Sequence, residues 1–79
     1  MRLVDASEGS RVRIVSIPQG EVGNLLRVRG LHPGSVVVVL SNRKGVPWSP
    51  VILEVRGAKI AIGRDVASDI LVEYVGDPL

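Results

Sequence analysis

The sequence predicts a mainly β domain: a small five-stranded barrel with one short helix after the first strand and one helical turn before the last. Three observations predict it. Apolar residues make up 46% of the 79 positions, mostly Val, Ile and Leu with no Phe at all, a composition that favours strands around an aliphatic core. The stretch Gly30-Leu31-His32-Pro33-Gly34-Ser35 runs directly into Val36-Val37-Val38-Val39-Leu40, which reads as helix end, tight turn and strand apolar on both faces, hence covered on both faces by a helix, another sheet layer or a second molecule. The remaining strands are short and separated by short turns, too few for a sandwich. Closure into a barrel would remove the sheet edges that such strands expose.

Taken in order, Leu3-Val4-Asp5-Ala6 is an apolar lead-in and Ser7-Glu8-Gly9-Ser10 a turn. Arg11-Val12-Arg13-Ile14 alternates strictly, and the apolar phase then slips by one through Val15-Ser16-Ile17, the mark of a bulge in a bent strand. Glu21 to Arg29 predicts a helix, with Glu21 in its first turn, Arg27 and Arg29 in its last, and Gly30 just past its end. Val22, Leu25 and Leu26 would form its apolar face, with Gly23 a weak point. Pro33 and Gly34 suit the two central positions of a type II turn. Ser41 to Pro50 is the longest irregular stretch and holds the only Trp. Val51 to Arg56 and Lys59 to Ile62 predict a hairpin about a Gly57-Ala58 turn of type II′. Arg64 to Asp69 has room for one helical turn, and Ile70 to Val75 for a last strand. Residues 1–75 are thus read as one domain and 76–79 as a frayed tail.

Composition narrows the function. With no cysteine, neither a disulfide framework nor a Cys-based zinc site is available. No apolar run approaches the roughly 18 residues of a membrane span, and the N-terminus lacks a signal-peptide core, so a cytoplasmic location without membrane insertion is expected. Ten Lys and Arg against eight Asp and Glu leave a net charge of +2. Arg11, Arg13, Arg27, Arg29, Arg43, Lys44 and Arg56 would have to gather on one side to hold nucleic acid, and the small net charge and scarcity of aromatics argue against that class.

The chain shows no convergent acid, base and nucleophile, no phosphate loop and no dinucleotide fingerprint, which argues against an enzyme. Its only histidine, His32, is the candidate ligand for a transition metal, with Asp5, Glu8 or Asp69 as carboxylate partners. No cofactor is required, and a metal-binding or nucleic-acid-binding barrel is the alternative class. Protein binding is the class the residues favour. Trp48, stiffened by Pro47 and Pro50, is the type of residue that anchors an interface, its competing role being a lid over a core without Phe. The two-sided apolar strand also predicts self-association.

The order and spacing of these elements resemble the FeoA family over about Leu3 to Val75. The resemblance is carried by Leu3, Gly9 and Val12 to Ile17, by Arg29-Gly30-Leu31-His32-Pro33-Gly34 where the family has Leu-Gly-Leu-x-Pro-Gly, and by the loop glycine and prolines Gly45, Pro47 and Pro50. It continues in Ile60-Ala61-Ile62-Gly63-Arg64, Ala67 and Ile70-Leu71-Val72. Two departures stand out: Arg27 and Arg29 replace helix leucines, and the positive charge after the hairpin falls one residue late, at Arg64. The resemblance implies a barrel of the Src-homology-3 (SH3) type. It also implies a non-enzymatic accessory role in ferrous iron transport, by docking on the cytosolic part of the FeoB-type permease. The expected contact residues are Trp48, Arg43, Lys44 and Pro47 on the loop, and Leu26, Arg27 and Arg29 on the helix.

Overall fold

The computed structural model describes residues 1–76; the expected frayed tail lies, apart from Gly76, outside the described residues. Five antiparallel strands form one sheet: β1 (Arg11–Ser16), β2 (Val36–Ser41), β3 (Val51–Val55), β4 (Ala58–Ile62) and β5 (Leu71–Tyr74), in the order β4-β3-β2-β1-β5. Helix α1 (Gly20–Val28) follows β1 and the single turn α2 (Arg64–Ala67) precedes β5. A short 3-10 turn over Leu3–Asp5, read from sequence only as a lead-in, straps the N-terminus to the body.

Burial follows the alternation. Val12 and Ile14 of β1, Val37 and Val39 of β2, and Val51, Leu53 and Val55 of β3 point into one aliphatic core, joined there by Ile60, Ile62, Ile70 and Val72. The predicted bulge is present, since the β1 register against β5 slips between Ile14 and Ser16. Within this chain neither a helix nor a second sheet layer covers the outer face of β2. β2 is covered on one face only, and Val36 and Leu40 remain 40% and 38% exposed on the other. Its outer residues lie beside the long side chains of β1 and β3, with Val38 opposite Arg11 and Glu54; aliphatic stems of this kind shield an apolar strand without a second layer.

Helix α1 ends in a Schellman motif: Leu31 N–H donates to the Leu26 carbonyl at 2.9 Å and Gly30 N–H to the Arg27 carbonyl at 3.0 Å, with Gly30 at φ 86°. Leu26 and Leu31, the apolar pair of that motif, both enter the core. The turn that follows is as predicted, with Ser35 N–H donating to the His32 carbonyl at 2.9 Å and Gly34 at φ 94°.

The β3–β4 hairpin corrects the sequence reading by one residue. Val55 pairs with Ala58, so the turn is Arg56-Gly57, and both residues have positive φ, 52° and 84°. That is type I′ geometry. A Gly57-Ala58 turn would keep the same faces inward but set Arg56 opposite Lys59, whereas the observed register sets Glu54 opposite Lys59. The observed register places opposite charges across the ladder, the favourable arrangement for a cross-strand pair.

The two ends of the sheet differ. β5 is met by the N-terminal strap: Val72 N–H donates to the Met1 carbonyl at 2.7 Å, Leu3 N–H to the Ile70 carbonyl at 2.8 Å, and Arg2 bridges Leu71. β4 pairs with β3 alone among the described residues, and the ladder does not close between β4 and β5.

Candidate functional site

The loop from Asn42 to Pro50 is held from its base. Two turns shape it, with Val46 N–H donating to the Arg43 carbonyl and Ser49 N–H to the Val46 carbonyl, both at 3.0 Å. Asn42, 5% exposed, saturates its side chain: Nδ2 donates to the carbonyls of Val4 at 2.9 Å and Ala6 at 2.7 Å, and Oδ1 accepts from Arg64 Nη2 at 2.9 Å. Its backbone N–H donates to Glu8 Oε2 at 2.7 Å. Arg64 Nη1 reaches the Ser49 carbonyl at 3.2 Å and Lys44 Nζ reaches the Asp5 carbonyl at 2.8 Å. Both feet of the loop are therefore tied, one to the strap and one to α2.

On this base Trp48 stands 82% exposed. The lid role is excluded by that number, because the core is closed by aliphatic residues without it. Arg43 and Pro47 are exposed beside it in the same loop, and Lys44 is turned back onto the strap.

The second predicted group sits on α1, and its composition changes. Leu26 is 6% exposed and belongs to the core, whereas Leu25 and Val28 are 66% and 86% exposed. The helix packs through Gly23 and Leu26. A Cβ on Gly23 would collide with the Pro18 carbonyl, so the weak helix former is what lets the helix lie close. Val22, Leu25 and Val28 are left facing outward, with Glu21 and Asn24 beside them. Arg27 and Arg29 are exposed and enter no ion pair with a described residue. No hydrogen bond joins α1 to the Trp48 loop among the described residues.

His32 is half-buried, with Nδ1 at 3.1 Å from the Pro33 carbonyl. Of the carboxylates considered with it, Asp5 pairs with Arg2 at 3.1 Å and Glu8 holds the Asn42 N–H. No group of three or more His, Asp or Glu that could hold a metal ion occurs among the described residues. Tyr74 is a further polar anchor: its hydroxyl accepts from Ser7 N–H at 3.1 Å and lies 3.2 Å from Ser7 Oγ. These bonds, with help from the charge of Lys44, hold the phenol below its ordinary pKa of 10.0.

Sequence reasoning missed Asn42. An amide immediately after an apolar strand was the available signal, and it reads equally well as ordinary loop composition. Arg64 stood out for its displaced charge, which the structure spends on the loop.

A family model described as FeoA domain matches residues 1–74. The chain belongs to the FeoA family. It is 38% identical over 73 residues to the protein named "Putative Fe(2+) transport protein A" of Methanocaldococcus jannaschii, covering 90% of this chain and 83% of that one. Among solved structures, this FeoA-family chain matches the crystal structure of an iron uptake regulatory protein (FeoA) with a TM-score of 0.80 at 29% identity, covering 95% and 97% of the two chains. It also matches the FeoA of Stenotrophomonas maltophilia, described as a procaryotic SH3 domain protein and complexed with zinc. There the TM-score is 0.76 at 18% identity, over 92% of this chain and 89% of that one. At that identity the likeness shows the fold alone, and the fold of this FeoA domain is SH3-like. No helix among the described residues is long and apolar enough to cross a membrane.

Proposed function

We propose that this chain is a non-enzymatic accessory protein of ferrous iron transport that works in the cytoplasm by docking on the cytosolic part of the FeoB-type permease. Family membership and a relative named for Fe(2+) transport supply the iron context. The observation that carries the docking reading is Trp48, 82% exposed on a loop tied at both feet. An exposed tryptophan costs solvation, and a pre-ordered loop lowers the entropy lost when a partner covers it. Arg43 and Pro47 share the loop, and Leu25, Val28, Arg27 and Arg29 supply a second surface on α1. The role assigned to side chains here is recognition, since nothing in the site sets a nucleophile beside a base.

Titration calorimetry with the isolated cytosolic domain of the permease tests the reading. Wild-type protein binds saturably, and Trp48→Ala and Arg29→Glu each weaken binding by about tenfold or more, as interface anchors do. Folded variants that bind as tightly as wild type would remove these assignments, and an inert wild type would remove the reading. A parallel titration with ferrous iron alone separates docking from metal binding at His32.

A further inference from the structure

The hairpin geometry says which backbone groups of β4 are free. In a two-residue hairpin the residues flanking the turn form a hydrogen-bonded pair, and such pairs alternate with non-bonded ones along an antiparallel ladder. Val55 and Ala58 flank the turn here. Ala58, Ile60 and Ile62 therefore direct their N–H and C=O groups at β3, and Lys59 and Ala61 direct theirs away from it. No described strand lies on that side, and both residues are exposed. An unpaired edge of this kind is a template for another strand.

What lies beyond the edge is a groove rather than open solvent. Leu25, Leu26 and Arg29 form its helix side, and Ile60, Ala61 and Ile62 its strand side. Leu25 also walls the adjoining hollow that contains Val28, so apolar surface continues from the edge across the helix. The charges are mostly of one sign: Arg27, Arg29 and Lys59 against Glu21 on the helix and Glu54 opposite Lys59 on β3, with no ion pair from any of the three cations to a described residue. β4 carries neither a proline nor a bulge, two of the usual guards of an edge, although its single lysine is present.

We propose that the free edge of β4 and the groove beside α1 form a strand-addition site for an extended peptide segment of alternating aliphatic and acidic residues. The backbone of the segment exchanges hydrogen bonds with Lys59 and Ala61. Its aliphatic side chains enter the groove between Ile60, Ile62 and Leu25, and its carboxylates lie beside Lys59 and Arg29. This is a known physical mode of peptide capture, in which main-chain bonds give affinity and alternate side chains give specificity. The inference rests on the reading of the chain as a docking module and adds the form in which the partner's segment binds.

The test uses the full chain, isotopically labelled, titrated with a capped peptide alternating valine with glutamate over about six residues, the length of an ordinary strand. Its control alternates valine with lysine. The expected result is saturable slowing of amide hydrogen exchange at Lys59 and Ala61 with the glutamate peptide, and weaker binding of the lysine peptide. Ala61→Pro removes one outward N–H without touching the β3 ladder, as proline is tolerated at a solvent-facing edge position, and lowers affinity about tenfold. Arg29→Glu, which leaves the strand untouched, reverses the preference between the two peptides. Protection absent from Lys59 and Ala61, or unaltered affinity of folded Ala61→Pro, overturns the proposal. If the permease domain binds while these two amides exchange as in the free protein, strand addition fails and the docking reading stands. If neither the peptide nor the domain binds, both fail.

Discussion

The two ends of the sheet are finished by different physics. At the β5 end the chain's own N-terminus supplies the missing strand neighbour, and the same strap accepts Asn42 and Lys44, so that edge, strap and loop are sewn together by hydrogen bonds. At the β4 end nothing is sewn. No side chain of residues 20–29 or 58–62 enters a hydrogen bond among the described residues, and α1 is held by Gly23 and the Leu26–Leu31 pair. Closure at one end leaves a rigid platform from which Trp48 projects, and openness at the other leaves an edge and a helix face to be covered by something else.

The largest effect should come from undoing the sewn end. Leu3 is fully buried and anchors the strap, so Leu3→Ala should cost about 2–5 kcal/mol of stability. Urea unfolding will show it, and replacement of the monomer by larger, faster-sedimenting species would show that opening β5 also creates an adhesive edge. Next comes Asn42→Ala, which strands the part-buried Val4 and buried Ala6 carbonyls and frees Arg64. A loss of about 2–3 kcal/mol is expected, together with a Trp48 emission that reports a loosened loop. A variant as stable as wild type would mean that water replaces the network without cost.

At the open end the key position is Gly23. Its Ala variant should be destabilised by about 1–3 kcal/mol, the range of overpacking, despite the better helix propensity of alanine; a stabilised variant would show that α1 lifts easily off its seat. Arg56→Gly should go the other way. Relieving an arginine held at φ 52° should raise stability by about 0.5–1 kcal/mol, measured by the denaturation midpoint, and leave the β3–β4 register unchanged. The smallest effect belongs to Tyr74. Its lowered pKa means that the folded state favours the phenolate, so the linked stabilisation is fully present above the ordinary value of 10.0 and is lost as pH falls through the folded-state value. Ser7→Ala removes the Oγ bond and should move the tyrosinate absorbance titration upward, toward that ordinary value.

Much of this was legible in the sequence because the signals are local. Gly30 after a helical stretch, Pro33-Gly34 before a valine run and the slipped alternation around Val15 each specify a backbone geometry by themselves. Glycine-first chemistry favours a Gly57-Ala58 turn, whereas the chain turns at Arg56-Gly57, the register that sets Glu54 opposite Lys59. The helix face was misread as well. Val22, Leu25 and Leu26 satisfy a stripe on paper, but the side that fits the body is set by an absent side chain at Gly23 meeting the Pro18 carbonyl, a contact that no periodicity count contains. Asn42 was invisible because its partners, Val4, Ala6 and Arg64, come from both ends of the chain. Exposure of Trp48 was likewise a tertiary outcome, decided by whether aliphatic residues alone could close the core.

The most direct measurement is an NMR titration of the labelled protein with the cytosolic domain of the FeoB-type permease. Docking predicts saturable movement of the Trp48 indole and of the Leu25 and Val28 methyls, with the strap at Met1–Leu3 unmoved. No saturable change with the domain, or changes confined to His32 and nearby carboxylates when ferrous iron is added, would contradict it.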